Sequence, residues 1–116
     1  MRIGSIVIDC KDFDRTMRFW QEALHYVPRE PTEPGWVVLK DPEGKSPNVS
    51  VNQDPEIETG RNRLHLDLYT GDQEAEVRRL LQLGATLHRS PEPGEDFVVL
   101  ADPEGNLFCV VDKKGR

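Results

Sequence analysis

The sequence predicts an α+β fold of two tandem βαβββ modules, and three observations predict it. A Val-Val-Leu-X-Asp-Pro-Glu-Gly segment occurs twice, at 37–44 and 98–105, and a repeat of that length is the first thing to weigh in a fold assignment. Ahead of both copies the same order recurs: Ser5-Ile6-Val7-Ile8 lies on His65-Leu66-Asp67-Leu68, Asp12 on Asp72 and Arg18 on Arg78. In each half the hydrophobic period then changes in the same way, from strand-like alternation to helical spacing and back to strands.

The first strand is read over 3–10, where Ile3, Ile6, Val7 and Ile8 supply β-branched content. Asp12 stands where an N-cap would, able to accept from the orphan amides of a first helical turn. Behind it Phe13, Met17, Trp20 and Leu24 make one apolar stripe, and Phe19, Trp20 and Leu24 are assigned to the helix-to-sheet core. A strand at 26–30, a Pro/Gly turn at 31–35, a strand at 36–40, a turn at 41–44 and a strand at 48–53 complete a module over 1–53. Residues 54–62, with Pro55 and Gly60, read as a linker.

The second module, 63–112, repeats the plan. A strand at 63–69 leads to a helix capped by Asp72, with Ala75 or Val77, Leu80, Leu81 and Leu83 as its apolar face and Gly84 at the left-handed C′ position. Strands at 85–89, 96–101 and 107–112 follow, separated by turns at 90–95 and 102–105, and 113–116 is a basic tail. In the repeated turn Asp can accept an Asx-type hydrogen bond, Pro presets φ, and Gly takes a conformation that a Cβ would oppose.

Composition narrows the function. The 116 residues carry 15 Lys+Arg against 21 Asp+Glu, for a net charge of −6. That length suits one domain over 1–116 with a core that needs neither disulfide nor metal. The acidic balance argues against nucleic acid, whose backbone demands clustered cations. No apolar run is long enough for a membrane span or a signal peptide, so a cytoplasmic protein without membrane association is expected. Cys10 and Cys109 have no CxxC spacing and are read as small buried hydrophobes. No GxGxxG, P-loop lysine, GxSxG or HExxH is present.

Several motifs together carry a family likeness. Phe19-Trp20 lies on the first helix, Leu64-His65-Leu66-Asp67-Leu68 opens the second module, Leu83-Gly84-Ala85 follows the second helix, and Asp102-Pro103-Glu104-Gly105-Asn106-Leu107-Phe108-Cys109 precedes the C-terminus. With the two modules, they resemble the vicinal oxygen chelate superfamily, and within it the glyoxalase-like and bleomycin-resistance branch. The resemblance runs over residues 3–112. It implies the glyoxalase/bleomycin resistance/dihydroxybiphenyl dioxygenase fold, whose modules curl around a cavity. In metal-dependent members a divalent ion is held by one ligand from the first and last strand of each module. Those positions fall on Ser5, on Ser50 or Asn52, on His65 and on Cys109. Only His65 matches, and a neutral Ser hydroxyl is a poor ligand, so the metal site is expected to be dismantled.

The expected ligand pocket comprises Ser5, Val7, Trp36, Ser50 and Asn52 from the first module and His65, Asp67, Leu107 and Cys109 from the second. His65 and Asp67, two residues apart, share one strand face and form the pair able to move a proton, hence the candidate catalytic residues. His25 and His88 are expected to be exposed. The leading expectation is a protein that binds a small polar molecule in the cavity without a complete metal site and without a cofactor, assembled as a homodimer. One alternative is a metal-dependent lyase or dioxygenase with a divergent site for Zn, Ni, Fe or Mn. Another is a non-enzymatic regulatory or partner-binding module.

Overall fold

The computed structural model describes residues 1–57 and 64–113. In chain order its elements are β1 (Arg2–Cys10), α1 (Phe13–Leu24), β2 (Val27–Pro28), β3 (Trp36–Lys40), β4 (Asn48–Gln53), β5 (Leu64–Thr70), α2 (Gln73–Gln82), β6 (Thr86–Arg89), β7 (Phe97–Ala101) and β8 (Leu107–Asp112). This is the βαβββ order twice over. Residues 58–62 of the expected linker, the start of the strand expected at 63–69, and residues 114–116 of the expected tail lie outside the described residues. The chain divides into two compact units, one spanning Ser5–Leu64 and the other Met1–Gly4 with His65–Arg116.

In the first unit the strands lie in the order β2-β3-β4-β1. Strand β3 is antiparallel to both neighbours, and β4 runs parallel to β1. Asp12 caps α1 as expected, its carboxylate accepting from the Arg15 amide at 3.2 Å. The stripe Phe13, Met17 and Trp20 packs on buried Cys10, Tyr26, Val37, Leu39 and Val51. Phe19 is instead 60% exposed. At about 100° per residue it stands roughly 120° off the line through Phe13, too far round the helix to reach the sheet. It rests edge-on against Trp20 with ring centroids 5.2 Å apart. Leu24 is also exposed, because the helix ends there and His25 turns left-handed at φ 58°.

In the second unit the order β5-β8-β7-β6 repeats the pattern, with β5 parallel to β8 and β7 antiparallel to its neighbours. Asp72 caps α2 through the Ala75 amide at 3.2 Å. Val77 and Leu80 pack on Val98, Leu100 and Val110. Leu81 and Leu83, read from sequence as part of the apolar face, are exposed. Leu81 sits on the flank of the stripe and Leu83 is already the C-cap. Gly84 takes φ 117°, the C′ role assigned to it. At the head of β1, Gly4 lies against the Tyr69 ring where any Cβ would overlap it. Arg2 and Lys113 stand over that ring, 5.3 and 4.6 Å from its centroid.

The edge strand expected at 26–30 shrinks to Val27–Pro28. Tyr26 turns into the core and its hydroxyl donates to the Pro47 carbonyl at 2.9 Å, while the Arg29 amide still donates to Val38 at 2.7 Å. The two repeated turns close alike. Asp41 accepts from the amides of Glu43, Lys45 and Ser46, and Asp102 from those of Glu104 and Asn106. Those bonds hold both carboxyls below their ordinary value, led by the Glu43 amide at Asp41 and by the Asn106 side chain at Asp102.

Candidate functional site

Alternation along a strand sends every second side chain to the same face, and cross-strand partners share that face. In the first unit Val7 lies beside Ser50 and Asp9 beside Asn52, while Trp36 is opposite Asn52 and Val38 opposite Ser50. The interleaved Val37, Leu39 and Val51 lie under α1. Ser5, Val7, Trp36, Ser50 and Asn52 therefore all stand on the face turned away from the helix. In the second unit Asp67 lies beside Cys109, Cys109 opposite Val99, Leu107 opposite Ala101, and Val99 opposite Arg89. His65, Asp67, Leu107 and Cys109 stand on the corresponding helix-free face. The register also decides between Ser50 and Asn52: Val7 pairs with Ser50 as Asp67 pairs with Cys109, so Ser50 is the counterpart of Cys109.

The two faces carry different chemistry. Ser5 and Ser50 are both 0% exposed and their hydroxyls are 2.6 Å apart, a short hydrogen bond in which one donates to the other. Two positions along, Asn52 donates to the Asp9 carboxylate at 3.0 Å. Val7 is buried among them and Trp36 is half-buried. In the second unit His65 Nε2 lies 3.5 Å from Asp67 Oδ1, with the His65 side chain 20% exposed. Cys109 is half-buried, not the buried thiol expected from its apolar neighbours. The imidazole, carboxylate and thiol offer one ligand atom each, all within 4.8 Å of one another. Leu107, half-buried, flanks them two residues before Cys109.

Two features of these faces escaped the sequence reading. Asp9 continues the alternation of Ser5 and Val7, a signal that was legible and passed over. Arg89 reaches the row of Val99, Cys109 and Asp67 only because β6 is irregular between Leu87 and Arg89. Arg89 grips Glu95 through two hydrogen bonds, 2.9 and 3.3 Å, and its guanidinium stands 5.3 Å from the Phe97 ring centroid. That pairing raises Arg89 above its ordinary value and lowers Glu95, with Cys109 among the groups that Arg89 feels electrostatically. His25 and His88 are exposed, as expected.

Residues 5–111 match the family profile of the Glyoxalase-like domain. The chain belongs to that family. Solved structures share the fold. A hypothetical protein from Bacillus halodurans C-125 superposes with a TM-score of 0.73 at 16% identity, covering 99% of this chain and 96% of that one. A glyoxalase/bleomycin resistance protein/dioxygenase superfamily member from Vibrio splendidus 12B01 gives 0.65 at 15%, covering 94% and 97%. Streptomyces coelicolor methylmalonyl-CoA epimerase, in complex with 2-nitronate-propionyl-CoA, gives 0.65 at 19%, covering 97% and 96%. At these identities the likeness shows the fold alone. No curated protein matches the sequence.

The metal-dependent glyoxalase-like arrangement can be tested against the donors present. Its four positions fall on Ser5, Ser50, His65 and Cys109. Two of these are neutral hydroxyls bonded to one another at 2.6 Å with no exposed surface. Hydroxyls of that kind do not compete with water for a divalent ion as imidazole, thiolate and carboxylate do. The four-position donor set does not fit the glyoxalase-like metal centre. Among the described residues, no helix is long and apolar enough to cross a membrane.

Proposed function

We propose that this glyoxalase-like protein binds a small polar molecule on the helix-free strand faces without the four-ligand metal centre of its metal-dependent relatives. The observation that carries the reading is the buried hydrogen bond between Ser5 and Ser50, which fills two ligand positions with neutral hydroxyls turned toward each other. Recognition then falls to directional polar groups. His65 supplies a donor or acceptor, Asp67 an acceptor at 3.5 Å from it, and the pair can pass a proton to or from a ligand within hydrogen-bond reach. Asn52, Trp36, Leu107 and Cys109 supply the polar and apolar flanks on their own faces. A carboxylate there and a net charge of −6 favour a neutral or cationic ligand over an anion.

The test is a thermal-shift screen of small polar compounds in EDTA. A ligand present at about 100 times its Kd stabilises by about 2.7 kcal/mol, readily seen as a higher Tm. The expected result is a shift that persists in EDTA and is lost in His65→Ala and Asp67→Asn. A shift that needs added divalent metal and disappears in Ser5→Ala overturns the reading. The same reading places the protein in the cytoplasm as a homodimer, with exposed Phe19, Leu83 and Leu87 among the apolar surface available to a second copy; light scattering checks the mass.

A further inference from the structure

We propose that the cavity on the helix-covered side of the first unit, between the first two turns of α1, the end of β1 and Ile57, binds a small aromatic anion, a flat ring carrying a carboxylate or sulfonate. It lies on the other side of the strands from the helix-free faces and does not depend on the function proposed for them. Phe19, named above among the apolar surface available to a second copy, is assigned here to the wall of this cavity.

The helical repeat builds one wall. Asp12, Arg15, Thr16 and Phe19 follow the spacing i, i+3, i+4 and i+7, so they share a face of α1 beside the core stripe of Phe13, Met17 and Trp20. Cys10, only 4% exposed, and Lys11 close the cavity from the end of β1. The chain leaving β4 supplies the far side. There the Asp54 amide donates to the Cys10 carbonyl at 2.7 Å, and the Asp54 carbonyl accepts from the Ile57 amide at 3.2 Å, a turn that places Ile57 in the lining. The cavity measures about 490 Å³, within the roughly 300–1,000 Å³ of small-molecule pockets.

Two kinds of chemistry meet in it. Phe19 is 60% exposed although it touches Trp20, and the two rings stand at 86° to each other. A flat ring set into that corner stacks on one ring and meets the edge of the other, covering apolar area that Phe19 otherwise leaves in water. Lys11 and Arg15 supply positive charge. Among the described residues neither takes part in an ion pair, whereas Arg78, Arg79 and Arg89 each hold a glutamate. Asp12 is the sole carboxylate in the lining, and it accepts from the Arg15 amide as the helix cap. Two cations against one carboxylate leave the lining positive in a chain of net charge −6, and an anion is what that lining complements. The adjoining groove over Met17 has the opposite character: it shares Lys11 and Asp12 but adds Asp14 and Glu33.

The experiment is a titration of the protein with anilinonaphthalene sulfonate, read by the rise in its fluorescence, beside phenylnaphthylamine, which has the same rings without the sulfonate. Expected is one equivalent of bound sulfonate, held at least about tenfold tighter than the neutral amine because the amine forgoes the charge-assisted hydrogen bond, and held more weakly as salt rises. Arg15→Gln and Phe19→Ser are each expected to weaken sulfonate binding about tenfold. Arg18→Gln makes the same change of charge on α1 outside the lining and is expected to bind as the parent does. A cooperative thermal transition in each variant separates lost binding from a lost fold, and light scattering of Phe19→Ser is expected to give the parent's mass. The proposal is overturned if the folded parent binds no sulfonate, if the neutral amine binds as tightly, or if Arg15→Gln and Phe19→Ser bind as the parent does. It is equally overturned if Arg18→Gln weakens binding as much as Arg15→Gln, or if Phe19→Ser lowers the mass in solution, which would make Phe19 a contact with a second copy.

Discussion

The two units are copies of one design with opposite treatments of the same face. In one, the row across β3, β4 and β1 reads Val38, Ser50, Val7, and Ser5 closes on Ser50 at 2.6 Å. In the other, the row across β7, β8 and β5 reads Val99, Cys109, Asp67, and His65 stands 3.5 Å from Asp67. The strand pairing is shared, so the difference lies in the side chains: two buried hydroxyls bonded to each other against an imidazole, a carboxylate and a thiol.

The comparison can be broken most severely through the cores beneath the faces. Leu39 in the first unit and Leu100 in the second are both 0% exposed, and Leu→Ala at such a site costs about 2–5 kcal/mol. Similar losses in urea unfolding are expected for Leu39→Ala and Leu100→Ala; a large loss in only one would show that the repeats do not share a packing plan. The hydroxyl pair comes next. Ser50→Ala strands the buried Ser5 hydroxyl at a cost of about 1–3 kcal/mol, whereas the Ser5→Ala, Ser50→Ala double variant is expected to recover much of that loss. Additive losses in Tm would show that the two hydroxyls are not each other's main partner.

Cysteine reactivity sharpens the contrast further. Cys10 is buried under α1 while Cys109 is half-buried on the helix-free face. Alkylation by iodoacetamide, followed by peptide mapping, is expected to be faster at Cys109 by on the order of tenfold; equal rates would mean that the helix does not shield Cys10. The smallest effect belongs to the turns. Asp41 and Asp102 both titrate below their ordinary value of 3.8 when folded. Each therefore contributes stability that is present above that value and lost as pH falls through the lower folded value. Asp41→Ala and Asp102→Ala are expected to lower the Tm slightly at neutral pH, and the deficit should vanish at strongly acidic pH. A deficit independent of pH would assign the turn's stability to backbone geometry instead.

Much of this was legible in the residues. The repeated Asp-Pro-Glu-Gly turn, the two Asp N-caps and the change of period fixed the element order, because each is a local signal that works through its own few residues. The glycine after α2 was equally readable, since its φ of 117° is what a helix C′ asks for. The failures were graded by distance. Phe19, Leu81 and Leu83 are apolar residues near an apolar stripe, and composition alone put them on it; the angle around the helix and the helix end decide otherwise. The strand expected at 26–30 lost most of its length because Tyr26 found a better place in the core.

The candidate site follows the same rule. Alternation within β5 put His65 and Asp67 on one face from sequence alone, since a period of two is intrinsic to a strand. That Cys109 joins them, that Ser50 rather than Asn52 is its counterpart, and that Ser5 and Ser50 bond each other depend on register between strands dozens of residues apart. A shift of one residue would reverse every face. The sequence by itself determined two βαβββ repeats and the acidic balance of the chain. Only tertiary pairing decided which polar groups meet, because contact between strands is set by the packing of the whole sheet and not by any residue's neighbours in the chain.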